Sequence, residues 1–269
     1  MKDGKVMSKD PGFGTSGGRE RRTTGIHFWN KVFQIPNPSD PGKKMCVLLM
    51  DTQGLWDSKA GSKLNGSIFG LSCILSSFLI FNHFATLNAE HLKEMAALTD
   101  TFSKGLAKLQ NKGKPFQHLE ILNREFFGID PDYDTRREGL EATRNWKKTI
   151  ESDDAFKEST KKLENCFGIF DVMCLPYPGN IKSPKYDGNI TKMNKLFKCM
   201  LGHYIEDIIS KIEPRRIAGK TITGKDFIKY AKEYGGIFRS TDDFPDSSLI
   251  MDVTSDISNS KLIEDYSHV

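Results

Sequence analysis

VLLMDTQG, residues 47–54, runs four apolar side chains into Asp51, Thr52, Gln53 and Gly54. With Met45 and Cys46 ahead of it, the segment 44–51 is expected to be a strand covered on both faces. An aspartate at such a strand end is placed to hold Mg²⁺ in nucleotide hydrolases. The glycine beyond it lets a backbone N–H approach a terminal phosphate. A plain strand ending in a turn, where Asp and Gly are ordinary punctuation, accounts for the same residues.

Upstream, FWNKVFQI (28–35) is separated from that segment by the proline-rich PNPSDPG, so the two read as strands joined by a hairpin-like loop. Downstream, a helix is expected near 64–76 and a strand at Phe78–Phe81. Leu92, Met95, Phe102, Leu106 and Leu109 then recur at helical spacing. FQHLEILN (116–123) and GIFDVMCL (168–175) are further strands, with a charged helical region between them. Met193, Phe197, Met200, Tyr204 and Ile208 mark one more helix, and Phe227, Tyr230, Tyr234 and Phe238 another. This alternation predicts an α/β domain over residues 1–240, with a mostly parallel sheet flanked by helices. Residues 241–269 are acidic and Ser/Asp-rich with weak periodicity. They are expected to be a loose tail or the frayed start of a further helical element.

Composition excludes several classes. A net charge of +4, from 39 basic against 35 acidic residues, offers no polycation to nucleic acid or to an anionic membrane. The five cysteines are odd in number and form no C-x-x-C pair, as expected of reduced thiols in the cytoplasm. The first residues contain no apolar segment of the secretory type. SIFGLSCILSSFLIF (67–81) is shorter than the roughly 20 residues of a membrane span, so it reads as a buried helix running into a buried strand. Six scattered histidines assemble no recognisable nucleophile or metal set.

Three more stretches carry chemistry. RRTTGI (21–26) offers the Thr23 hydroxyl, which would complete a Mg²⁺ shell opposite Asp51; a solvated Thr-Gly turn is the plainer account. In EILNREFF (120–127), Arg124 and Glu125 stand just past a strand end, where an α/β sheet presents ligand-binding groups. A carboxylate there accepts two hydrogen bonds from a guanine edge, and an arginine stacks on the base or holds the loop; a surface ion pair uses the same residues. CLPYPG (174–179) follows another strand, and Pro176, Tyr177 and Pro178 would cap a base or make a rigid turn.

In their order along the chain, GGRERRTTGI, VLLMDTQG, FNHFATLNAEHL, the Arg124–Glu125 pair and LPYPG resemble the guanylate-binding protein and atlastin branch of the dynamin superfamily, the atlastin side more closely. The likeness runs from about Gly12 to about Phe238. It implies a P-loop-type G domain that binds GTP with Mg²⁺ and hydrolyses it. Such domains pair across their nucleotide faces, as a homodimer or with a relative, and couple hydrolysis to a following helical middle domain. By the resemblance Thr23 is the switch I magnesium ligand with a catalytic role, and Asp51 to Gly54 open switch II. Arg124 and Glu125 read guanine. The family uses aspartate beside the arginine, so Glu125 carries its carboxylate one methylene further out and leaves guanine selectivity open.

The resemblance also accounts for GFGTSGG. Gly12 and Gly17 have the spacing of a phosphate loop, but Gly18 and Arg19 stand where its Lys and Ser/Thr belong. AGKTITGK (218–225) contains Gly219–Thr221 with Pro214 in place of the first glycine. Residues 12–26 then correspond to switch I, with the phosphate loop expected ahead of residue 1 and the G domain truncated at its N-terminus. That expectation makes the chain a fragment with no turnover of its own, or a non-catalytic short form that binds an intact G domain. It also leaves bare edges on the VLLMD and FLIF strands, between which the phosphate-loop strand belongs. The complete relative is expected on the cytosolic face of the endoplasmic reticulum, with no membrane anchor in these residues.

Overall fold

A computed structural model describes residue 13 and residues 23–55, 61–85, 87–108, 113–181, 189–240 and 245–266. The glycine-rich residues 14–22, with Gly12, lie outside them, as does Leu109.

Four short strands come first: β1 (Ile26–Phe28), β2 (Phe33–Asn37), β3 (Asp40–Val47) and β4 (Met50–Thr52). β2 and β3 form an antiparallel hairpin, and β1 pairs antiparallel with β4. The expected hairpin is there, but each expected strand is broken. FWNKVFQI divides between β1 and β2. The run 44–51 is interrupted at Leu48 and Leu49, which are 39% and 43% exposed, so the double coverage expected of it is absent. Among the described residues β4 pairs with β1 alone, and an apolar run without a partner on its second edge has nothing to bury it.

The main sheet follows α1 (Ser62–Leu75). It contains β5 (Phe78–Phe84), β6 (Phe116–Arg124) and β7 (Phe167–Leu175), all parallel and in that order. Leu119 and Ile121, adjacent in the β6 alternation, are both 0% exposed because β6 is central. Among the described residues β5 pairs only with β6.

Helices cover the sheet. α2 (Ala89–Ala107) starts where the Asn88 side chain accepts the His91 N–H, and it buries Leu92, Met95, Thr99, Phe102 and Leu106. α3 (Arg136–Ser152) opens with a capping box between Thr135 and Glu138. Asp153 ends α3 with its backbone N–H and starts α4 (Asp154–Cys166) with its carboxylate, so the chain turns there without a loop. A short 3-10 turn leads into α5 (Lys195–Lys211), whose cap is Asn194; Met193 lies just outside it.

After α5, AGKTITGK belongs to a small antiparallel pair, β8 (Arg216–Ile217) and β9 (Lys220–Thr221). Ala218 and Gly219 have φ of +49° and +76°, the conformation a two-residue hairpin turn demands, so the glycine serves a turn and no phosphate. α6 (Gly224–Ser240) follows.

Beyond residue 240, where a loose tail or the start of a further helical element is expected, Ser247–Tyr266 form a helix, α7. Asp246 accepts the N–H groups of Ser248 and Leu249, and Ile250, Thr254 and Ile257 are buried. The Tyr234 and Thr254 hydroxyls lie 2.6 Å apart. α7 also packs on α2 so closely that a Cβ on Gly105 would meet the Ser247 carbonyl at 2.3 Å. Ser, Thr and Asp hide this helix from a periodicity reading, since its buried polar residue Thr254 satisfies its own hydroxyl on Ile250. No helix among the described residues is long and apolar enough to cross a membrane.

Candidate functional site

Two groups of expected residues are assembled, in two different sheets. The first is built by the β1–β4 register, which sets His27 opposite Asp51 and Ile26 opposite Thr52. Ahead of β1 the chain turns at Gly25, whose φ is +76°. That turn brings Thr23 over the end of β4, where its hydroxyl donates to Asp51 Oδ2 at 2.7 Å.

Gln53 holds this arrangement and was not among the expected site residues. Its N–H donates to the Gly25 carbonyl at 2.9 Å, its Oε1 accepts the Gly25 N–H at 3.3 Å, and its Nε2 donates to Asn65 of α1. It is 4% exposed, buried between loop, strand and helix. The signal was present, an amide at a strand end inside the quoted motif. Gly54 is exposed, and a Cβ there would meet nothing within 4 Å, so the local geometry makes no demand for glycine.

The second group lies at the C-terminal edge of the parallel sheet, where α/β folds place ligands. Arg124 ends β6, and its Nε donates to Asn82 of β5, so the guanidinium lies across the strand ends. Its carbonyl accepts the Ala85 N–H. Glu125 adopts a φ of +55°, which turns the chain so that the Phe126 N–H reaches the Leu175 carbonyl at 2.9 Å. That bond sets the Arg124–Glu125 turn beside the start of LPYPG. There Pro176 and Pro178 are buried while the Tyr177 ring is 42% exposed. The Pro178 carbonyl accepts the Asn194 N–H, which ties this loop to the cap of α5.

Thr23 and Asp51 supply two hard oxygen donors to one point, and neighbouring ligands in an octahedral Mg²⁺ shell stand about 3 Å apart. The observed 2.7 Å fits that set. The family model for the N-terminal domain of guanylate-binding proteins matches residues 4–215. The chain belongs to this family.

Among curated relatives of this guanylate-binding-family chain, human atlastin-2 is 28% identical over 259 residues, covering 92% of this chain and 42% of its own length. Mouse atlastin-1 is 29% identical over 253 residues, covering 92% of this chain and 44% of its own. Mouse atlastin-3 is 28% identical over 254 residues, covering 92% and 46%. The chain thus spans less than half the length of these relatives. Both the family and the α/β fold expected from the sequence stand.

Proposed function

We propose that these residues are the switch-bearing and base-reading part of a G domain that binds and hydrolyses GTP. The observation that carries this reading is the Thr23–Asp51 hydrogen bond at 2.7 Å, because it joins two motifs 28 positions apart in the sequence at one strand end. Thr23 and Asp51 would hold Mg²⁺, which when bound neutralises charge on the terminal phosphates. Gln53 positions the Thr23 loop relative to β4 and α1. Arg124 and Glu125 read the guanine edge, and Pro176, Tyr177 and Pro178 cap the base. Gly54 leaves its N–H free to approach a phosphate.

No G-x-x-x-x-G-K-[ST] occurs in the 269 residues, so the lysine that cradles the phosphates is not supplied by them. An arginine finger alone contributes about 10³ to 10⁵ in rate, and loss of the whole cradle removes more. The chain by itself is therefore expected to show no GTP turnover. Hydrolysis belongs to a G domain that also carries the cradle, acting in the cytoplasm and pairing with a second copy or a relative.

A second reading is a non-catalytic chain that binds an intact G domain. It is favoured by apolar side chains along β5, which pairs with β6 alone among the described residues and where Ile80 is 38% and Phe84 50% exposed. Sizing the endogenous product with an antibody to residues 130–150 separates the two readings. On the largest product found, Thr23→Ala and Asp51→Ala should each lower Mg²⁺-dependent affinity for GTP about tenfold or more. Unchanged affinity in both overturns the first reading. For a product at the 30.4 kDa of this chain, nucleotide-dependent capture of an intact relative supports the second and no capture removes it.

A further inference from the structure

Two and three pleat repeats behind Arg124, on the same face of β6, stand Glu120 and His118. The parallel register sets Asp171 of β7 directly beside Glu120. One ligand atom from each of the three lies within 4.8 Å of the other two. His118 is 4% and Glu120 1% exposed, and neither ring nitrogen of His118 nor Oε1 of Glu120 has a hydrogen-bond partner. Polar atoms buried in this way are costly unless something else satisfies them.

We propose that His118, Glu120 and Asp171 bind a divalent transition-metal ion of the zinc type. His118 Nε2 and Glu120 Oε2 are 4.0 Å apart, too long for a hydrogen bond. In a tetrahedral zinc shell, bonds of about 2.0–2.2 Å put neighbouring ligands about 3.4 Å apart, so side-chain rotations must draw in atoms that now lie within 4.8 Å of one another. A mixed imidazole and carboxylate donor set suits zinc better than magnesium.

The charge around the site agrees. Arg144, Lys147 and Lys211 line the adjoining cavity of about 190 Å³. They are matched in number by Asp171, Asp207 and Glu151, which pair with the two lysines. Glu120 has no cation at ion-pair distance of its own among the described residues; the Tyr204 hydroxyl and the more distant Lys211 are the groups that lower its carboxyl against burial. Burial accordingly pushes its carboxyl up to about 7, and burial holds His118 neutral, the form that ligates. The lysines do compete. Asp171 Oδ1 accepts Lys147 and the Val172 N–H, whereas Oδ2 accepts Lys211 and keeps one lone pair for an ion. The cavity gives a water room to fill the remaining position. Asp171 and Glu120 lie mid-strand, so this site is separate from the Thr23–Asp51 pair and from the strand ends.

The test uses the 269-residue chain, dialysed against a chelator and titrated with Co²⁺ for its visible absorption and with Zn²⁺ in competition. One ion per chain is expected. Removing a partner of a metal ligand already costs 10- to 100-fold, so His118→Gln and Glu120→Gln should each weaken Zn²⁺ binding by about tenfold or more. Exposed His27→Gln should leave it unchanged, and Lys211→Met should tighten it. If His118→Gln does not fold, Glu120→Gln, which keeps the side-chain shape, decides. Absence of stoichiometric binding, or equal affinity in wild type and Glu120→Gln, overturns the proposal.

Discussion

Arg215 Nη1 donates to Gln117 Oε1 at 3.2 Å, and the same oxygen accepts the Arg216 N–H at 2.7 Å. Arg215 is buried, and its Nε donates to the carbonyl of Ile74 near the end of α1. Gln117 in turn donates to the Pro214 carbonyl. One amide therefore fastens α1, β6 and β8 together, around a guanidinium whose pKa burial lowers to about 10. Gln117→Ala should cost about 1–3 kcal/mol, because it leaves the Nη1 donor of the buried Arg215 without this acceptor. Gln117→Ala combined with Arg215→Met should cost less than the sum of the two single changes, by about 0.5–3 kcal/mol. Urea unfolding of the four proteins checks this, and strict additivity would count against it.

Glu125 separates structure from recognition in one residue. Its left-handed backbone is a conformation that costs an L-residue about 1–2 kcal/mol. Glu125→Gly should therefore hold or raise stability by up to about 1 kcal/mol, and β-branched Glu125→Val should lower it. On a G domain that includes the phosphate cradle, Glu125→Gly should lose preference for GTP over ATP and Glu125→Asp should sharpen it. Competition binding measures both. A preference unchanged in Glu125→Gly would assign the residue to the turn alone.

The imidazoles of His83 and His91 meet at 3.2 Å, Nε2 to Nδ1. Burial first, and then the neighbouring His91, hold His83 below its ordinary value of 6.5. Since the unfolded chain then takes up that proton before the folded one, stability is lost as pH falls below 6.5, and it is fully present above. His91→Gln removes one source of repulsion and should lessen the loss. Melting temperatures between about pH 7.5 and about pH 5.5 report it. Parallel curves for wild type and His91→Gln would discard the pair as the cause.

Edge strands with exposed apolar side chains recruit other strands. Ile80→Lys, on β5, which ends the sheet among the described residues, should lower self-association in light scattering while changing stability by no more than about 0.5 kcal/mol. Equal scattering would move the sticky surface elsewhere, with Phe28, Phe33 and Leu49 the next exposed side chains to change.

The parallel strands were legible because FQHLEILN and GIFDVMCL each concentrate Phe, Ile, Leu, Val or Met in a short segment between charged helical stretches, as strands buried in a parallel sheet require. Thr23 and Asp51 were legible as a pair through their order in the chain. The break at Leu48–Leu49 was not, since an apolar run looks the same whether or not a neighbour covers it. α7 escaped because its burial runs through Thr254 as well as Ile250 and Ile257. His118 and Glu120 did leave a trace, two ionisable residues at alternate positions inside a run otherwise fit for a core. Their meeting with Asp171 depends on the register of β7, 51 residues beyond Glu120, and no local pattern carries that.

Gly105 gives α2 a second role. The helix is about 28 Å long at 1.5 Å per residue, and it begins four residues beyond the Ala85 contact with Arg124. At its far end the missing side chain lets the Ser247 carbonyl rest on its backbone. α2 is thus a strut between the strand ends and the last helix, with no compressible side chain at the second joint. One methyl group at Gly105 would meet the Ser247 carbonyl and wedge that joint apart.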